Sequence, residues 1–312
     1  MIRANFIAHI RDLQERICGA LEQADGAARF VETAWQRSGG GGGQSRAMAD
    51  GAVFEKGGVN ISAVHGALPA GALGGAPAGG PFYAAGISLV MHPLNPYVPT
   101  VHMNLRLFEL MDPAGEVIDR WFGGGMDLTP FYLFKPDVIH FHHTLKQACD
   151  MLGSALYPRF KLQCDEYFVN KHRDNENRGV GGIFFDELRA CVDHPIEDWL
   201  GFVKSCGEAF LPAYLPLVAR HKDTPYGGRE IDWQEHRRGR YVEFNLVHDR
   251  GTVFGLRTGG RTESILMSLP PRAQWRFNDA PQPGSQEAEL IAHLAPRDWL
   301  AERNADMEQL RD

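Results

Sequence analysis

From Thr100 to Phe108 apolar side chains occupy every second position: Val101, Met103, Leu105 and Leu107 point one way, and His102, Asn104, Arg106 and Phe108 the other. A period of two is the mark of a strand whose faces meet different surroundings. The fold must therefore hold a sheet with one buried face and one polar face. Three groups of different chemistry, an imidazole, an amide and a guanidinium, project from that polar face about 6.6 Å apart along the strand. The pattern fits either a site for a proton-transferring, anion-binding chemistry or the solvated side of an antiparallel sheet.

Helical spacing dominates elsewhere. Phe6, Ile10, Leu13, Ile17 and Leu21, followed by Phe30, Ala34 and Trp35, predict one or two helices over 4–37. Val138, Phe141, Leu145, Ala148 and Leu152 form an apolar stripe with His142 beside it, Pro158 opens a further helix, and 196–222 is helical in texture. Segments 52–64 and 83–91 are strand-like on either side of the Gly/Ala/Pro-rich stretch 66–81, which is expected to be a flexible surface loop. Alternation from Arg240 to Val247, the turn Asp249-Arg250-Gly251 and the apolar run Thr252–Arg257 predict a hairpin. Helices grouped between strand clusters, not alternating with them, indicate an α+β fold with an antiparallel sheet.

Thirty-two Lys and Arg against 39 Asp and Glu leave a formal net charge of −7, which excludes nucleic-acid binding by bulk charge. The hydrophobic share of 44% is enough for a sizeable core. Five cysteines without a C-x-x-C pair suggest neither a disulfide framework nor a thiolate zinc site. The N-terminal segment lacks the apolar region of a signal peptide, and no stretch is long and apolar enough for a membrane span, so the expected location is cytoplasmic.

Glycine is abundant at 35 residues, and Gly39–Gly43 are consecutive. Followed by Ser45 and Arg46, the run resembles a phosphate cradle, but it lacks the Gly-Lys-Ser/Thr ending and the G-x-G-x-x-G spacing of nucleotide loops. A flexible linker or a mobile flap over 39–46 is left. His92, His102, His142 and His172 each neighbour strand or helix residues able to line one cavity, as metal ligands, as an acid or base, or as ordinary hydrogen-bonded histidines. Asp127 stands alone among Gly123-Gly124-Gly125 and aromatic residues, in a turn or facing a ligand.

Taken together, GGGGGQSRAMADGAVFEKGGVN, HPLNPYVPTVHMNLR, WFGGGMDLTPFY, CDEYFVNKHR, RGVGGIFFDEL, YVEFNLVHDRGTVFGLRTGGRTESILMSLPP and the C-terminal PRDWL resemble, in order, the motifs of oxygen-dependent coproporphyrinogen III oxidases. The resemblance implies one α+β domain over residues 1–312, a flat antiparallel sheet flanked by helices on both faces, assembled as a homodimer through about 240–275. It implies oxidative decarboxylation of two propionates of a tetrapyrrole, coproporphyrinogen III, with O2 as co-substrate and no flavin, haem or NAD. The substrate's electron-rich pyrroles can themselves reduce oxygen, in keeping with the missing dinucleotide motifs.

The resemblance further implies substrate contacts at Ser88, Asn104, Leu105, Arg106 and Gly259-Gly260-Arg261, a proton donor at His102, and an Asp127 that engages the pyrrole N–H groups. His92, His102, His142 and His172 match positions that hold a divalent metal in bacterial members, with Mn favoured, although an all-histidine set is unusual for an ion that prefers oxygen. For a substrate with four carboxylates on a net-negative protein, Arg106 and Arg261 supply the local cations. Gln44 departs from the family, where arginine is common.

Overall fold

In a computed structural model, which describes residues 1–68, 79–257 and 260–301, the chain forms one large sheet between helices. The N-terminal helix α1, Ile2–Asp25, ends at Gly26 in a left-handed cap (φ 79°). Six strands then follow as a meander: β1 Val31–Gln36, β2 Gly41–Ala49, β3 Phe54–Ala67, β4 Pro81–Pro93, β5 Thr100–Met111 and β6 Val117–Thr129. Helices α2 Lys135–Asp150 and α3 Leu156–Tyr167 lead through the short pair β7 Val169–Asn170 and β8 Glu176–Asn177 to β9 Gly181–Arg189. Strand order is β1-β2-β3-β4-β5-β6-β9, with every neighbouring pair antiparallel. Helices α4 Ile196–Glu208, α5 Phe210–His221, α6 Gly228–Glu243, a π-turn Phe244–His248, α7 Arg250–Arg257, α8 Thr262–Leu266 and α9 Gln286–Ala292 complete the fold.

The period-two alternation decides which side of the sheet becomes core. Val101, Met103, Leu105 and Leu107 are fully buried, together with Ile87 and Leu89 of β4 and Phe122 and Met126 of β6. They form one cluster with Phe6, Ile10, Leu13 and Ile17 of α1, Val138, Phe141 and Leu145 of α2, Phe160 of α3, and residues of α4 and α5. At about 1.5–3 kcal/mol for each fully buried large aliphatic side chain, this face fixes the register of the strands. Asp25 ties the end of α1 to the β2–β3 connection. Its carboxylate accepts backbone N–H groups of Ala28 (2.8 Å), Ala52 (3.1 Å), Val53 (2.8 Å) and Phe54 (2.9 Å).

Three expectations change. Phe30, Ala34 and Trp35 lie before or within β1, not in a second helix, because the chain turns at Gly26 and pairs with β2. Gly41–Ala49 is a strand bonded to β1 on one side and β3 on the other, so Ser38, Gly39 and Gly40 form the turn and the 39–46 segment is largely sheet. Gly40 and Gly41 take φ 111° and 80°, which glycine adopts without a Cβ penalty. The hairpin expected within 240–275 is helical instead, spanning the end of α6, the π-turn and α7. The buried residues of this stretch, Arg240, Tyr241, Phe244 and Asn245, recur at helical spacing and half of them are polar, so the alternation of Val242, Phe244 and Leu246 marks no buried face. Of the loop expected at 66–81, residues 69–78 lie outside the described residues.

Candidate active site

The opposite side of β5 carries the site. His102 pairs in register with Asp127 of β6, Asn104 with Ser88 and Gly125, and Arg106 with Gly86 and Gly123. Ser45, Asn60, Ser88, Asn104 and Gly125 are successive register partners across five strands. At 4.7–4.9 Å per strand this row of small and polar residues is about 19 Å wide. Phe82, Phe108 and Trp121 close one end in a stack, with ring centroids 5.6 and 4.6 Å apart. The C-terminal segment covers the other end: Ser264 Oγ lies 2.9 Å from Ser45 Oγ, and Lys56 Nζ donates to Leu269 O at 2.8 Å.

Asp127 is the electrostatic centre. One carboxylate oxygen accepts a hydrogen bond from His102 Nδ1 at 2.7 Å, and the other pairs with the guanidinium of Arg178. Burial alone would raise its pKa, but the charge of Arg178 and the His102 hydrogen bond outweigh burial and hold the carboxyl below its ordinary value. An ionised Asp127 accepts only, so Nδ1 of His102 carries the proton, and Nε2 is the nitrogen able to exchange one with a ligand. Arg178 is itself buried and lies against the rings of Phe168 (4.3 Å), Tyr241 (4.5 Å) and Phe244 (5.0 Å). An aromatic cage of this kind excludes water and strengthens the pair inside it.

Arg178 was not singled out from the sequence. It opens RGVGGIFFDEL, where one arginine beside a glycine turn shows no period; its signal is spatial, since Val180 N–H bonds Leu128 O next to Asp127 in β6. Arg106 keeps a third of its side chain exposed, donates to Asn104 Oδ1 at 3.1 Å and pairs with Asp186 at 2.8 Å. The structure thus brings His102, Asn104, Arg106, Asp127 and Ser88 together on one face. Arg261 caps the start of α8, which meets that face through Ser264, and Gly260 N–H bonds Gly255 O at 2.8 Å; Gly259 lies outside the described residues. Leu105 departs from its expected role: its side chain is fully buried in the core on the far side of the sheet, and only its backbone is shared with β4 and β6.

The four histidines are not gathered into one ligand set. His92 Nε2 bonds Ser268 O at 2.8 Å and its Nδ1 lies 3.3 Å from Thr100 Oγ1; His142 bonds Tyr157 OH and Val180 O at 2.9 and 3.1 Å. His172 lies between Glu243 (2.9 Å) and His248 (2.7 Å), while His102 is engaged by Asp127. Burial lowers the pKa of His92 and takes that of His142 to about 3, so both are neutral structural imidazoles with their nitrogens occupied. Among the described residues no group of three or more His, Cys, Asp or Glu side chains is placed to hold an ion. This donor arrangement does not fit a resident Mn.

Comparison with known proteins supplies what geometry leaves open. The sequence profile of a family described as coproporphyrinogen III oxidase matches residues 5–299. A relative named oxygen-dependent coproporphyrinogen-III oxidase, chloroplastic, from Glycine max, is 51% identical over 311 residues, covering 96% of this chain and 80% of the relative. Both matches run through the polar face of the sheet, the Asp127 centre and the helices that cover them, and on that basis the chain belongs to the coproporphyrinogen III oxidase family.

Proposed function

We propose that the chain catalyses the oxygen-dependent decarboxylation of two propionates of coproporphyrinogen III to vinyl groups, giving protoporphyrinogen IX, CO2 and hydrogen peroxide. For each propionate, –CH2–CH2–COO⁻ + O2 + H⁺ becomes –CH=CH2 + CO2 + H2O2, so the side chain supplies two electrons to O2. The observation that carries this reading is the His102–Asp127–Arg178 chain set beside Arg106 on a wide floor of small residues. Such a floor admits a broad macrocycle, and the guanidinium of Arg106 binds a propionate carboxylate.

In this mechanism His102 Nε2 removes the pyrrole proton, which makes the ring electron-rich enough to add O2. The ring-bound peroxide takes a proton from the propionate carbon next to the ring; as CO2 leaves and the vinyl bond forms, the ring–oxygen bond breaks and HOO⁻ departs, becoming H2O2 with one proton from solvent, while His102 returns the pyrrole proton. Asp127 acts through His102: it fixes the tautomer and stabilises the imidazolium when it forms. Arg178 in turn keeps Asp127 ionised. The oxidant is O2 and the reductant is the substrate, so no organic redox cofactor is needed.

A homodimer is part of the same proposal. Leu246, Val247 and Leu256, 42%, 60% and 40% exposed, set apolar surface on the π-turn and α7 within 240–275. Leu246→Asp with Val247→Asp would yield monomers in sedimentation if this surface is the interface. No described helix is long and apolar enough to cross a membrane, and a cytoplasmic location is proposed with it. The decisive assay mixes anaerobically prepared coproporphyrinogen III with the protein and admits air. Protoporphyrin fluorescence after oxidation is the expected result; binding without conversion would make the protein a tetrapyrrole carrier.

A further inference from the structure

The pair Arg106–Asp186 is assembled by two separate local devices. Gly124 of β6 pairs with Phe185 and Phe122 with Leu188, so Asp186 and Glu187 together face the single residue Gly123. That is a bulge, and Glu187 takes φ 54°, a left-handed conformation uncommon outside glycine. The bulge turns Asp186 toward β5, where Asp186 Oδ1 also accepts the Glu187 N–H at 3.0 Å. Gly123 leaves the space: a Cβ there would stand 2.6 Å from Asp186 Oδ1 and 2.7 Å from Arg106 Nε. On the outer side Arg250, two-thirds exposed, reaches Asp186 Oδ2 at 3.5 Å. Asp186 thus lies between two arginines, one on the floor of the site and one at its rim.

Resting on the reading of Arg106 as a propionate ligand, we propose that Asp186 is a resident carboxylate that occupies Arg106 when substrate does not, and that Arg250 retains it when substrate arrives. Arg106 and Asp186 are each about a third exposed, at 36% and 30%, and a pair of that exposure is weakly held and exchanges readily. The reaction makes exchange useful. A propionate that loses CO2 removes the counter-ion of the guanidinium, and the return of Asp186 neutralises Arg106 and lets the macrocycle shift for its second decarboxylation or leave. Asp186 is accordingly a positioning residue that tunes grip; it donates nothing to the reacting atoms.

The test measures binding of coproporphyrin III, the oxidised and unreactive tetracarboxylate, by fluorescence quenching at low and high salt. Asp186→Asn removes the competitor and is expected to tighten binding about fivefold at low salt, with the gain shrinking as salt screens Arg106. In Arg106→Ala the same change is expected to give no gain. Unchanged or weaker binding by Asp186→Asn, with Arg106→Ala weakening it tenfold, overturns the proposal and leaves the site reading intact. Wild-type binding by Arg106→Ala would remove both. Should Asp186→Asn fail to fold, Arg250→Ala at the exposed rim provides the second arm: binding about threefold weaker is expected for the tetracarboxylate and no change for its neutral tetraester. Equal tetracarboxylate binding, or a matching loss with the ester, overturns the proposal.

Discussion

The two faces of the sheet are built from alternate residues of the same strands, and each has a buried carboxyl beside it, Asp25 on one side and Asp127 on the other, held in opposite ways. Under α1, Asp25 is satisfied by backbone N–H groups, donors that neither titrate nor move. On the other face, Asp127 is satisfied by the side chains of His102 and Arg178, one of which can gain or lose a proton. Both carboxyls are held below their ordinary pKa against the cost of burial. The difference teaches that burial and a shifted pKa do not identify a working acid group; the identity of its donors does.

Asp127→Asn should sharpen that contrast most, lowering kcat/KM about 10³-fold, roughly 4 kcal/mol of barrier, and destabilising the fold because Arg178 is left buried with a neutral partner. Steady-state assays and denaturant titration on one preparation check both effects. Activity within threefold of wild type would end the role of the Asp127–His102 pair. Next come neighbours on one strand: Leu105→Ala should cost about 3 kcal/mol of stability by cavity formation with KM unchanged. Arg106→Ala should leave stability within about 0.5 kcal/mol and raise KM about tenfold. If both variants shifted the same quantity, the separation of faces would be wrong.

Asp25→Ala should remove about 2–3 kcal/mol of stability through unsatisfied N–H groups and leave kcat of the folded protein unaltered. The pH dependence follows with a fixed sign. Because the folded pKa of Asp25 is depressed, its contribution is complete above the unfolded carboxyl value of about 3.9 and disappears as pH falls through the lower folded value. Urea midpoints at pH 5 and pH 3 should therefore converge between wild type and Asp25→Asn as the solution is acidified. The smallest expected effect is none: exhaustive chelation should leave turnover unchanged, and a loss restored by Mn alone would return the histidines to the mechanism.

How much was legible in the sequence depended on which residues were buried. The β5 strand, its polar face and the helices α2, α4 and α5 follow the hydrophobic period, because their hidden faces are apolar. Residues 228–239 of α6 show no hydrophobic period because their hidden face is made of Gln234, His236, Arg237 and Arg238, and the stretch 240–247, which reads as a strand, is the end of that helix and the π-turn. The first half of the site was visible as His102, Asn104 and Arg106 on one strand, and Asp127 as an acid among glycines. Arg178 and Asp186 arrive from distant segments, one after the β7–β8 pair and one on a bulge, and no local pattern announces either. The four histidines are not gathered into one set for a related reason: residue type alone does not show that His92 and His142 are occupied by carbonyls and a hydroxyl, His102 by Asp127, and His172 by Glu243 and His248.

The alternation along β5 has a consequence for how such a gene can change. Inserting or deleting one codon between Thr100 and Phe108 would exchange the two faces beyond that point, sending Arg106 into the core and Leu107 into the site at once. Point substitutions sample one face at a time, whereas a single-codon length change strikes stability and chemistry together. Homologues should therefore tolerate varied residues in this strand while its length stays fixed, and a library of one-codon insertions should contain no active clone there even where neighbouring loops accept them.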